Sequence, residues 1–238
     1  MTTLDMHMQI GQLVAERPAR SRVFDRHGLD YCCGGKRTIE DACRRRGVDP
    51  DPVLAELAAL DAEVVPQNDP IADMSMTELA DHIVETHHAY LRSELPRLAR
   101  LVDKVTAVHG ETHAWLDEVR TVYADLVAEL EPHMMKEEQI LFPMIRQIEK
   151  SGSSGAVHCG TIENPIRVME HEHDNAGAAL DRLRTLTNGY AIPEGACNSF
   201  RAMLDGLETL EADLHQHIHK ENNVLFVRAA QAARGSTS

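Results

Sequence analysis

The chain has 238 residues, 43% of them hydrophobic and only 4% aromatic, which supplies a sizeable helical core and suits a sheet poorly. Its 24 basic and 38 acidic residues leave a net charge of -14, which argues against a phosphate-rich partner and so against nucleic acid. No apolar run approaches the roughly 18 residues needed to span a bilayer, and no basic stretch followed by an apolar one opens the chain; five cysteines, an odd number, suit reduced thiols in the cytoplasm.

In chain order, residues 1–63 read as a small helical domain. Gly28 ends a helix over 21–27, Thr38 with Asp41 opens a second, and Asp51-Pro52 opens a third. Between the first two lies Asp30-Tyr31-Cys32-Cys33-Gly34-Gly35-Lys36, a turn whose glycines admit unusual backbone angles. Lys36 and Arg37 are expected to favour thiolates there. Cys32 and Cys33 therefore read as a soft-ligand or redox site, against the plainer reading of two buried cysteines. Cys43, Cys159 and Cys197 carry no pattern. Residues 64–74, including Val64-Val-Pro-Gln-Asn-Asp-Pro70, form a linker.

Four long helices are expected over 75–238. Ser75 and Glu78 make a capping box for the first, which reaches about residue 103. The second covers about 112–149, kinked at Pro132 and Pro143. A flexible loop begins at Ser151-Gly-Ser-Ser-Gly155. Asn164-Pro165 caps the third helix, which ends near Asn188-Gly189, and the fourth follows Pro193 to about residue 233. With short connections and no alternating strand pattern, the fold class is all-α: an antiparallel four-helix bundle behind a small helical domain.

His133-Met-Met-Lys-Glu137-Glu-Gln-Ile-Leu-Phe returns 84 positions later as His217-Ile-His-Lys-Glu221-Asn-Asn-Val-Leu-Phe, and His88 and His173 are 85 apart. The bundle is thus two pseudo-symmetric halves. A His four residues before a Glu places both on one helix face, one turn apart. His88, His133, His173 and His217, one per helix, converge with Glu137 and Glu221, and His109 is a candidate fifth imidazole. Imidazole and carboxylate suit iron or manganese, and zinc also fits. Two six-coordinate ions offer twelve positions. Five imidazoles, two bridging carboxylates and a shared oxo or hydroxo group fill eleven, leaving one for a small molecule.

His87, His171, His215, His219 and Glu138 lie about 100° or 200° round the helix from a ligand and are expected in solvent. Glu129, one turn before His133, is a candidate for orienting its imidazole. A second scheme uses the same letters: Glu85-x-x-His88 and Glu170-x-x-His173 have the spacing of ferritin-like carboxylate sites. It leaves His133 and His217 without a role, so the His-rich scheme is preferred. Spacing alone does not choose between His87 and His88.

Taken together, the Asp-Tyr-Cys-Cys-Gly-Gly-Lys turn, His-Met-Met-Lys-Glu-Glu-Gln-Ile-Leu-Phe-Pro and Glu-Asn-Asn-Val-Leu-Phe resemble the repair-of-iron-centres proteins over nearly the whole chain. The resemblance implies a hemerythrin-like bundle with a non-haem di-iron centre held by five His and two bridging Glu. These fall on His88, His109, His133, His173, His217, Glu137 and Glu221. It also implies a cytoplasmic stress protein that helps restore iron–sulfur clusters damaged by nitric oxide or oxidants. Damaged or apo iron–sulfur proteins would be its partners, and Cys32 and Cys33 would handle iron or nitric oxide. A nitric oxide-reducing enzyme, and a hemerythrin-like module that binds or senses dioxygen or nitric oxide, need the same ligands and stay open. A homodimer stays open too. The loop over 151–163, with His158 and Cys159, matches nothing in the family pattern.

Overall fold

Short helices build the first part of the chain: α1 (Ile10–Glu16), α2 (Ser21–Arg26), α3 (Ile39–Arg46) and α4 (Pro50–Ala62). The computed structural model describes residues 4–62, 71, 73–151 and 161–235. Gly28, at φ 63°, takes the left-handed conformation that stops α2. Thr38 Oγ1 accepts from the Asp41 N–H at 3.1 Å and starts α3. Helix α4 opens at Pro50, just before the expected Asp51-Pro52. Helix α1 is an addition to the sequence reading; at 7 residues it is too short for its apolar period to stand out.

The bundle consists of four rods, three of them interrupted. Helix α5 (Met76–Ile83) continues into α6 (Ala89–His109) through a π-helical turn at Val84–His88. A second such turn, Glu137–Leu141, joins α7 (Trp115–Lys136) to α8 (Phe142–Ser151). Helix α9 (Glu163–Leu186) is uninterrupted, and Lys220–Leu225 joins α10 (Asn198–His219) to α11 (Phe226–Gly235). Packing of α6 on α7, α7 on α9, α9 on α10 and α10 on α6 closes the ring. This is the expected antiparallel bundle. Both bonds of the Ser75–Glu78 capping box form, at 2.8 and 3.2 Å. Helix α7 continues through Pro132. The break comes just before Pro143, which lacks the N–H that an α-helix would aim at the Gln139 carbonyl.

Two apolar clusters fill the bundle. One includes Leu91, Met134, Ala176 and Ile218, and extends into the small domain through Ile10, Phe24 and Leu57. The other includes Ile83, Leu141, Met169 and Leu225. Each rod carries its candidate ligands where it passes from one cluster to the other. His88 lies between Ile83 and Leu91, Glu137 between Met134 and Leu141, His173 between Met169 and Ala176, and Glu221 between Ile218 and Leu225.

Within the small domain α1 is tied to the cysteine turn, and both pack against the fourth rod. Gly11 N–H donates to the Gly35 carbonyl at 2.9 Å, and Ile10 N–H to that of Arg37 at 3.0 Å. A Cβ on Gly11 would stand 2.3 Å from Asn223 Oδ1 and 2.8 Å from Gly35 Cα, so only glycine allows this approach. Among the described residues no helix is long and apolar enough to cross a membrane, and Cys32, Cys33, Cys43 and Cys197 are free thiols. Most of the expected linker, at 64–70 and 72, lies outside the described residues, as does residue 63. So does 152–160, with His158 and Cys159.

The buried Arg20 guanidinium ties the small domain together. It meets Asp61 at 3.1 and 2.6 Å and donates to the Leu13 carbonyl at 3.0 Å. The bond from Arg20 holds the Asp61 carboxyl below its usual range, against the opposing effect of burial. Stability from this group is therefore present above the ordinary carboxylate pKa and disappears as pH falls through the lowered one. Asp61→Asn is expected to cost about 1–3 kcal/mol at neutral pH. Thermal unfolding should show the gap between native and variant narrowing below about pH 4; an unchanged gap in acid would rule this account out.

Candidate metal centre

π-Helical turns are uncommon and concentrate at functional sites. Three of them here carry His88, Glu137 and Glu221 into the layer between the two apolar clusters. His133, His217 and His173 complete it from α7, α10 and α9. All six side chains are buried.

Their ligand atoms form two overlapping groups, each within 4.8 Å. One is His88, Glu137, His217 and Glu221; the other is His133, Glu137, His173 and Glu221. The Nε2 atoms of His88 and His217 are 3.2 Å apart, and those of His133 and His173 are 3.0 Å apart. Glu137 Oε2 lies 3.4 Å from Nε2 of both His88 and His133. Glu221 reaches His217 with Oε1 at 3.0 Å and His173 with Oε2 at 3.2 Å. Both carboxylates thus face both groups, which is the geometry of a bridge.

Three of the imidazoles are aimed by acceptors on their Nδ1 sides. Glu138 meets His88 at 2.7 Å, Glu172 meets His133 at 2.8 Å, and Asn222 Oδ1 meets His173 at 2.8 Å. Such partners fix the tautomer and leave Nε2 free to bind metal. His217 is held differently, its ring parallel to that of His87 at 5.2 Å. His87 is itself clamped between Asp213 at 2.8 Å and Lys220 at 2.7 Å.

Electrostatics reinforce this reading. Burial and Glu221 push the Glu137 carboxyl up, but His133 and His88 outweigh them and hold it below its usual range. Burial likewise opposes ionisation of Glu221, and His217 and His173 hold it well below. Burial lowers His133, yet Glu137, Glu221 and Glu172 push it up to about 9. Both oxygens of Glu137 and Oε2 of Glu221 are buried without a hydrogen-bond partner. Two ionised carboxylates with orphaned oxygens, beside four converging nitrogens, fit one cation in each group.

Several sequence expectations change. His109 does not join the centre. It ends α6, 3.3 Å from Cys197 Sγ and against Phe200, roughly 30 Å along the helix from His88. His88, not His87, enters the site. His87 and His219 are buried rather than solvated, and burial with Lys220 pushes the His219 imidazole down to about 4. His171 is exposed as expected and His215 is half-buried. Glu129 is exposed, and Glu172 takes the orienting role assigned to it. Glu85 is exposed and Glu170 pairs with Lys36 at 2.8 Å, so the ferritin-like scheme is not the one formed. Sequence reasoning also missed Glu138, Glu172 and Asn222 as orienting groups. Each adjoins a ligand in the chain but serves an imidazole on another rod.

The cysteine turn lies against this centre. Cys33 Sγ donates to the His173 carbonyl at 3.1 Å, and Asn222 Nδ2 donates to the Cys32 carbonyl at 3.3 Å. Lys36 is spent on Glu170, and Arg37 stands 3.8 Å from Asp30. The expected thiolate does not follow at Cys32. Its hydrogen bond with Cys33 and its burial push that thiol well above its ordinary value.

Replacing Glu137 or Glu221 with Ala should empty both positions, whereas His109→Ala and His171→Ala should keep their metal. Elemental analysis after gel filtration distinguishes the two, and loss of metal from the His109 variant would contradict the placement of that residue. Asn222→Ala should weaken metal retention about 10–100-fold in a chelator competition, because the His173 ring loses its anchor.

Residues 79–229 match the family described as Hemerythrin HHE cation binding domain, and residues 6–61 match ScdA_N, a domain of unknown function. Three relatives each bear the name iron-sulfur cluster repair protein YtfE. They come from Yersinia pestis (strain Pestoides F), Yersinia pestis bv. Antiqua (strain Angola) and Yersinia pseudotuberculosis serotype O:1b (strain IP 31758). Each is 39% identical to this chain over 223 residues, covering 94% of it and 96% of the relative. The six converging ligands fall inside the first matched span and the cysteine turn inside the second. On this similarity and domain order, the chain belongs to the repair-of-iron-centres family, a hemerythrin HHE cation-binding bundle behind an ScdA_N domain.

Proposed function

We propose that this chain is a di-iron protein that restores iron–sulfur clusters damaged by nitrosative or oxidative stress, acting in the cytoplasm on damaged or apo iron–sulfur proteins. One observation carries the di-iron reading: Glu137 and Glu221 belong to both ligand groups, so two ions can share them. The repair reading is supported by relatives named for iron–sulfur cluster repair. With His109 elsewhere, four imidazoles and two bridging carboxylates fill eight of the twelve positions on two six-coordinate ions. A shared oxo or hydroxo group fills two more, leaving one on each ion.

Bound iron would supply ligand exchange and redox chemistry. The chain's own groups hold and shield that chemistry. Glu138, Glu172 and Asn222 orient imidazoles, and the apolar clusters on both sides exclude water. Cys32 and Cys33 are soft ligands placed beside His173, where iron leaving the bundle would meet them. A second reading, binding or reduction of nitric oxide, is favoured by a cavity of about 10 Å³ lined by His133, His173, His217, Leu130, Leu214 and Ile218. That space is about what one water-sized molecule needs.

After anaerobic iron loading the protein should hold about two irons per chain; one zinc and no iron-dependent absorption would sink the di-iron reading. Changing Cys32 and Cys33 together to Ser should leave iron and helical content nearly unchanged. The same variant should lose most of its power to restore a nitric oxide-damaged cluster in vitro, since Ser keeps the size and removes the soft ligand. Full restoration would leave the bundle as the only working part. Catalytic consumption of nitric oxide with no restoration would shift the assignment to the second reading.

A further inference from the structure

Outside the bundle layer, the turn at 30–34 gathers another set of donor atoms. The Asp30 carboxylate and the Cys32 and Cys33 thiols place one ligand atom each within 4.8 Å of the others. We propose that Asp30, Cys32 and Cys33 form a second metal site, one that takes a thiophilic divalent cation such as ferrous iron. Its fourth position opens on the cleft between the small domain and the bundle. The two Sγ atoms are 3.7 Å apart. A tetrahedral ion with metal–sulfur bonds of about 2.3 Å has an edge of about 3.8 Å, so the thiols already stand at the spacing of two such ligands.

Asp30 is fixed in place to be the third. Its Oδ1 accepts from the Cys33 N–H at 2.9 Å and lies 3.2 Å from Cys32 Sγ; its Oδ2 accepts from the Gly34 N–H at 2.9 Å. A Cβ on Gly34 would stand 2.6 Å from the Asp30 carbonyl oxygen, so glycine is what lets the turn close round the carboxylate. The cleft has a volume of about 590 Å³, and both cysteines and Asp30 line it together with Gly177 of α9. A Cβ on Gly177 would approach Cys33 Sγ to 3.1 Å, so the bare helix there gives the thiol room. The same Sγ touches the His173 carbonyl, which sets this site directly beside the bundle centre.

Capture of one divalent ion forms two metal–sulfur bonds and one metal–oxygen bond and releases one proton from each thiol. No oxidation state changes, and the ion leaves by exchange onto ligands arriving through the cleft. Service as a stopping place for iron in transit rests on the repair reading; the site itself does not.

The test uses the full-length protein with its bundle first loaded anaerobically with iron and then gel-filtered to remove iron held at the turn, leaving about two irons per chain, and Cd²⁺ as the probe. Roughly one cadmium per chain should bind in addition to the iron, with a sulfur-to-cadmium charge-transfer band. Cys32→Ser and Cys33→Ser should each diminish that band and the double change should abolish it, with iron content unchanged. Asp30→Asn should weaken cadmium binding at least about tenfold. Absence of the band in the native protein overturns the proposal, as does unchanged affinity in the Asp30 variant. If Asp30→Asn does not fold, infrared difference spectra of native protein with ¹³C-labelled aspartate decide: no shift of an aspartate carboxylate on cadmium addition removes Asp30 from the site. No client cluster enters this titration, so its failure leaves the repair reading standing, and a failed restoration assay leaves the site standing.

Discussion

Two glutamates are buried side by side between four imidazoles, and much of the bundle's construction follows from that arrangement. An isolated ionised carboxylate away from water costs several kcal/mol, and a second one beside it raises the cost through like-charge repulsion. Glu137 and Glu221 are nevertheless both held ionised, because His133, His88, His217 and His173 surround them. Buried oxygens left without hydrogen bonds mark the places where a cation would complete the balance.

The helices adapt to this polar layer rather than the reverse. A regular α-helix would carry its apolar stripe straight through the bundle. Instead, three rods change to π-helical turns at the level of the site and resume as α-helices beyond it. The apolar core is split into two clusters above and below, which keeps bulk water from the centre. The orienting groups cross between rods: Glu138 follows Glu137 but holds His88, Glu172 precedes His173 but holds His133, and Asn222 follows Glu221 but holds His173. Each rod therefore stabilises the ligands of another, and the centre becomes a property of the closed ring.

The small domain is joined to that ring largely by side chains of the fourth rod. Asn222 and Asn223 donate to carbonyls of the cysteine turn, Gln216 donates to the Tyr31 hydroxyl at 2.8 Å, and Gly11 and Gly35 permit the close approach. Asn222 thus touches a metal-ligand imidazole with its oxygen and the cysteine turn with its nitrogen. A displacement of the turn has a direct mechanical route to His173.

Local order in the chain was enough for the features that repeat within one helix. The four-residue spacing of His133 and Glu137, and of His217 and Glu221, sets both groups on one face whatever surrounds them. The Ser75–Glu78 box, the Thr38 cap and the Asn188-Gly189 stop are likewise settled by neighbouring residues. The all-α class and the convergence of His173 with these pairs were legible too, whereas the choice of His88 over His87 was not. Packing between rods decided the rest. An angle of 100° from a ligand reads as solvent on an isolated helix, yet in a closed ring it points at the adjoining rod, which is why His87, Glu138, Glu172 and Asn222 are working parts. His109 shows the converse, since proximity in a motif list cannot shorten a helix that runs straight away from the site. The upward shift of the Cys32 thiol was equally out of reach, because its hydrogen bond with Cys33 and its burial arise only once the chain has folded.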